Sequence, residues 1–88
     1  MKIKITTRSC SDETGTPHHF HYYLLAQPID TGGLCCEDYG VCIEDEENHT
    51  TSIPSITTSA TRIDQLMTLL VDHLVGPAGL EDVVADWL

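Results

Sequence analysis

Apolar residues recur at helical spacing in the last third of the chain and alternate with polar ones before it. Ile63, Met67, Leu70 and Leu74 fall at i, i+4, i+7 and i+11, and Leu66 and Leu69 widen the stripe. That is one broad apolar face of an α-helix. Thr61, with Asp64 three residues on, or Ser59 supplies the cap at its start. Gly76 followed by Pro77 is expected to end it, because Gly tolerates the left-handed conformation and Pro cannot continue the ladder. A second helix follows through Leu80, Val83, Val84, Trp87 and Leu88, with Glu81 and Asp82 in the first turn, where the helix dipole favours negative charge. Trp87 and Leu88 lie on that stripe, so both are expected to dock. The stripes read as core facing a sheet rather than as a groove for a partner helix.

Period two governs the first 58 residues. In Lys2–Arg8, Ile3 and Ile5 face one way, and Lys2, Lys4, Thr6 and Arg8 face the other, as a basic stripe that solubilises or guards an edge. Ser9–Pro17 reads as a loop. His18–Gln27 carries bulky groups on both faces, which predicts a central strand ended by Pro28, with Thr31-Gly32-Gly33 as a turn. Leu34–Glu44 sets Tyr39, Val41 and Ile43 on one face and Gly40, Cys42 and Glu44 on the other, with Gly40 marking a bulge or a close backbone approach. Thr50–Thr58 reads as an edge strand, since Pro54 cannot donate to a ladder.

These elements predict an α+β fold: an antiparallel sheet of three to four strands over residues 1–58, then two C-terminal helices over 61–88 packed on one face. The 88 residues make a single domain. Fourteen acids against four bases give a net charge of −10, which excludes direct nucleic-acid binding and anionic membrane surfaces and favours a protein partner with a basic surface. Met1–Arg8 has no apolar leader core and no run is long enough to span a bilayer, so a cytoplasmic location with reduced thiols is expected.

The aromatic strand Tyr22-Tyr23-Leu24-Leu25, the strand Tyr39-Gly40-Val41, the Leu-rich helix, Pro77 and the closing Leu80-Glu81-Asp82-Val83-Val84-Ala85-Asp86-Trp87 form a pattern over most of the chain. In these features the chain resembles a family of small uncharacterised bacterial proteins, a domain family of unknown function. The resemblance implies the fold and carries no activity. The His and Cys residues are no part of that pattern.

Three constellations are candidates for chemistry. Glu37, Asp38, Glu44, Asp45, Glu46 and Glu47 place six carboxylates within eleven residues. Their spacing is not that of a calcium loop, and they read as a solvated turn or as a surface for a basic partner. His19 and His21 share a strand face, and Cys42 joins them if the second and third strands pair, giving a set of zinc-ligand type. Cys10, Cys35, Cys36 and His18 are further ligands of the same type, although no paired-cysteine or paired-histidine zinc spacing is present. Cysteine–histidine catalysis lacks a thiol at a recognisable helix N-terminus. The reading that follows is a non-enzymatic interaction module for a basic partner, one version being an inhibitor of a nucleic-acid-handling enzyme. A zinc-binding module is the alternative. A homodimer through an edge strand, either the first or Ile53–Thr58, is a further expectation.

Overall fold

The computed structural model describes residues 1–11, 13–31 and 33–88, with the backbone alone at 30, 31, 34 and 35. Strands β1 (Lys2–Ser11), β2 (Pro17–Thr31), β3 (Leu34–Asp45) and β4 (Thr50–Thr57) pair in chain order as an antiparallel meander. Helix α1 (Ala60–Asp72), a 3-10 turn (Pro77–Gly79) and helix α2 (Leu80–Trp87) follow. The helices cover one face. Their buried residues Ile63, Leu66, Met67, Leu70, Leu80 and Val84 meet Tyr22, Val41 and Ile43 of the central strands. Among the described residues no helix is long and apolar enough to cross a membrane.

The α+β architecture is therefore the one the periodicity predicts, and its departures lie in details. Lys4 stands opposite Tyr23 and Thr6 opposite Tyr22, so Ile5 is an extra residue in a bulge. The bulge reverses the facing of everything after it. Lys2 and Lys4 keep the uncovered face, while Thr6 and Arg8 pass to the helical side, opposite Tyr22 and Phe20. The expected basic stripe is thereby split. β1 also runs on to Ser11, which shortens the expected Ser9–Pro17 loop; Asp12 within it lies outside the described residues.

Pro28 does not end β2, which continues to Thr31 with Pro28 opposite Glu37. The reason is the direction of its nitrogen. Ala26, two residues earlier, exchanges backbone bonds with Met1 at 2.9 and 2.7 Å on the β1 side. Pro28 aims its nitrogen the same way, past the start of β1, so its missing N–H costs no ladder bond. The turn that follows holds Gly33 at φ 88°, while Gly32 lies outside the described residues.

β4 is an edge strand, and Gly40 marks both the bulge and the close approach expected of it. Val41 pairs with Ile53 and Tyr39 with Thr57, so Gly40 alone spans Pro54, Ser55 and Ile56. A Cβ at Gly40 would stand 2.3 Å from the Ile53 carbonyl oxygen and 2.6 Å from the Pro54 Cα. Ser55 adopts φ 58° at this bulge.

Ser59, not Thr61, caps α1, its hydroxyl accepting from the Arg62 N–H at 3.3 Å. The helix ends at Asp72, ahead of Gly76. Leu74 takes φ 51°, and the N–H groups of Leu74 and Val75 donate to the carbonyls of Val71 and Leu70. This is the capping arrangement that usually employs glycine. Gly76 is left free for another contact: a Cβ there would meet the Phe20 ring at 3.1 Å. Trp87 is half-buried as expected, but Leu88 is 76 % exposed and does not dock.

Tyr22 joins the two layers. It is fully buried, and its hydroxyl donates to the Val75 carbonyl at 2.9 Å. Burial, opposed by the nearby Arg8 charge, pushes its phenol from the ordinary value near 10 up to about 12. Tyr22→Phe removes the donor and leaves the Val75 carbonyl unpaired, and should cost about 1–2 kcal/mol in urea unfolding at pH 7. The folded state holds this proton more tightly than the unfolded one, so the associated stability is complete below about pH 10 and is lost as pH rises towards 12. The gap between wild type and Tyr22→Phe should therefore narrow over that window; a constant gap would show that Tyr22 is not the group titrating.

Candidate interaction surface

The six expected carboxylates lie on β3 and on the hairpin that joins it to β4, in two groups rather than one. Asp38 and Glu44 are six residues apart on one strand, which is about 20 Å. Glu37 and Asp38 lie in the first half of β3. Glu44 and Asp45 end it, and Glu46 and Glu47 follow on the turn.

At the hairpin end Asp45 is committed to the turn. One oxygen accepts from the backbone N–H of Glu47 at 3.0 Å and of His49 at 2.9 Å, and the other lies 3.1 Å from His49 Nδ1. Burial pushes the Asp45 carboxyl up, but the bonds from His49 and Glu47 outweigh it and hold the group below the usual carboxylate range. Asn48, at φ 66°, makes the reversal. Glu46 and Glu47 are exposed on this turn. Glu46 lies 3.8 Å from His18 and 4.0 Å from His19, and Glu47 lies 3.9 Å from His49. The hairpin thus gathers three histidines among its acids.

Glu44 faces the uncovered side of the sheet and pairs with Lys2. The Lys2 ammonium crosses β2 to reach it, 4.3 Å above the centre of the Tyr23 ring. The Glu44 carboxylate holds Lys2 above its usual range, against the effect of burial. Cys42 stands opposite Tyr23 and is only 1 % exposed, its thiol 3.9 Å from the same Glu44 oxygen. In the first half of β3, the Glu37 carboxylate, together with burial, holds the Tyr39 phenol above its ordinary range.

His19 and His21 share the uncovered face as expected, but each has a hydroxyl for a neighbour: Ser9 lies 2.9 Å from His19 Nδ1, and Thr7 2.9 Å from His21 Nδ1. Glu44, not Cys42, stands opposite His21. Among the described residues no group of three His, Cys, Asp or Glu side chains is placed to hold a metal ion, so His19, His21 and Cys42 are not gathered into a ligand set. Cys10 is half-buried and Cys36 exposed, and the Cys35 side chain lies outside the described residues. Leu69, expected in the core with the rest of the α1 stripe, is 36 % exposed. Its place beside Leu66 and Leu70 in an unusually wide stripe was the available signal.

Two outcomes follow from these contacts. Asp45→Asn should lower stability at pH 7. A carboxylate held below its unfolded value near 3.8 contributes above that value and loses its contribution as pH falls through the depressed one. The difference between variant and wild type, followed by thermal unfolding, should therefore close only in strong acid. Lys2→Ala removes the bridge over Tyr23. In a background where the other three cysteines are serine, it should raise the labelling rate of Cys42 by a thiol reagent about tenfold. An unchanged rate would mean that the bridge does not shield the thiol.

No curated protein matches the chain, and no solved structure does. The model of a family described as "Family of unknown function (DUF6514)" matches residues 1–88, across the whole of the chain. The fold, the acidic hairpin and the bridged sheet face described above thus belong to a member of that family of unknown function.

Proposed function

We propose that the protein is a non-enzymatic interaction module whose acidic surface binds a protein partner with a basic surface. One observation carries this reading. Among the described residues the Lys2–Glu44 pair is the one salt bridge between a carboxylate and a lysine or arginine. Arg62 is turned to the Trp87 ring instead. The net charge of −10, which already counts all four lysines and arginines, attracts a basic surface at long range.

The structure narrows which carboxylates are available. Asp45 is used by the turn and Glu44 by Lys2, whereas Glu37, Glu46 and Glu47 are exposed. Asp38, half-buried, completes the group beside Glu37. Two acidic groups about 20 Å apart suit a partner with an extended basic groove. A nucleic-acid-handling enzyme has such a groove, where carboxylates would stand in for phosphates.

Glu37→Lys, Glu46→Lys and Glu47→Lys in one chain leave Asp45 and Glu44 in place. This variant should fold as the wild type does and bind a captured basic partner about tenfold more weakly, with a flatter dependence on salt. Titration calorimetry at several salt concentrations measures both quantities. An unchanged affinity would reject these carboxylates as the contact.

A further inference from the structure

The two helices bury less of their apolar surface than their sequence offers. Towards the sheet, α1 commits Ile63, Leu66, Met67 and Leu70, and α2 commits Leu80 and Val84. Leu69 of α1 stays 36 % exposed, and Val83 and Trp87 of α2 are half-buried. With His73 and Asp86 these three line an open groove of about 300 Å³ between the helices. No strand residue lines it.

Asp86 is the acid that lines the groove, and the helical layer that forms it carries a net negative charge. From residue 60 onward the chain carries Asp64, Asp72, Glu81, Asp82 and Asp86 against the single base Arg62, and all five acids are exposed. Arg62 itself sits over the indole of Trp87, its guanidinium carbon 4.5 Å from the ring centre. The aromatic wall of the groove therefore already holds one cation by its face. An acidic ligand would be repelled here, and a wholly apolar one would desolvate Asp86 without a partner. An extended strand gains nothing, because the walls are helices whose backbone groups are bonded internally. A helix brings its own satisfied backbone and needs only an apolar stripe and cations beside it.

We propose that the α1–α2 groove is a docking surface for a basic amphipathic helix of a protein partner. An apolar side chain seats between Leu69, Val83 and Trp87, and a lysine or arginine meets Asp86. The proposal rests on the reading of the protein as a module for a basic partner, and it locates the apolar part of that contact on the helical layer, away from the β3–β4 hairpin.

Trp87 is the only tryptophan in the chain, so its emission reports on the groove. The probes are three tryptophan-free synthetic peptides: leucine and lysine at helical spacing, leucine and glutamate at the same spacing, and lysine with serine in place of leucine. The leucine–lysine peptide should bind with a shift of Trp87 emission, and the other two should bind at least about tenfold more weakly. Leu69→Gln with Asp86→Lys, both at exposed positions, should weaken the leucine–lysine peptide about tenfold, while Glu46→Lys with Glu47→Lys should change it less than about twofold. Saturable binding that leaves Trp87 emission unmoved would overturn the groove, as would equal binding of the lysine–serine peptide. Loss of binding with the hairpin variant alone would overturn the groove and leave the acidic-module reading standing. Failure of the wild type to bind either lysine peptide would overturn both. A wild-type dimer in sedimentation that the Leu69→Gln, Asp86→Lys variant converts to monomer would assign the groove to a second copy of this chain and overturn the proposal.

Discussion

The fold depends on one hydrogen bond made in a place where water cannot substitute. The Tyr22 hydroxyl crosses from the middle of the sheet to the carbonyl of Val75, just past the end of α1. A buried phenol needs an acceptor, and the Val75 carbonyl, three residues past the end of α1, supplies it. The bond also fixes where the chain turns. With Val75 held on the sheet, α1 must stop before it, and Leu74 takes the left-handed conformation to make that stop. Gly76 then lies flat against Phe20, one tyrosine-face position along the same strand, and α2 starts from that anchored turn. A single side chain thus sets the length of one helix and the origin of the next.

The bulges do the corresponding work on the edges of the sheet. Both outer strands carry one: Ile5 in β1 and the Pro54–Ile56 segment opposite Gly40 in β4. An exposed edge with a full row of free backbone groups invites pairing with another chain, and an interrupted one does so less. β4 adds a proline and a left-handed serine at its interruption, and β1 adds two lysines on the open face. The charge on β1 is divided by its bulge. Lys2 crosses the open face to Glu44, while Arg8 goes to the helical side near Tyr22. The same one-residue insertion therefore weakens an edge and places a cation beside the buried phenol, while Lys2, ahead of it, keeps the open face and its bridge to Glu44.

Much of this was legible in residue order because it follows from period. The stripes of α1 and α2, the alternation of β3 and the edge position of Pro54 each reflect a local rule that tertiary contacts did not override. The glycine within β3 was legible too, since a strand interior with no side chain implies that something stands close. The misses have one physical origin: they depend on what lies opposite. Pro28 continues a strand because nothing on its nitrogen side asks for a donor. Arg8 changes face because the bulge at Ile5 shows only in the pairing of β1 with β2 and is invisible to alternation within β1. Leu74 ends a helix in place of Gly76 because Phe20 already occupies the space beside the glycine. The acids of β3 are close in number and far apart in space because an extended strand spends its length quickly.

Those same acids show why proximity in sequence is a poor guide to a binding surface. Of the six, Asp45 shapes a turn and Glu44 anchors a lysine, so a third of the apparent cluster serves the fold. The helices carry fewer acids, set within an apolar pattern. A helix returns to the same face every three or four residues, so Asp82 and Asp86 lie along one side of α2 although three residues separate them. In a β-strand, neighbouring carboxylates face opposite sides of the sheet, and what looks concentrated is divided between them. Charge spread thinly on helices can thus converge where charge massed on a strand disperses, and apolar surface left beside such helices is where an acidic module gains contact area as well as attraction.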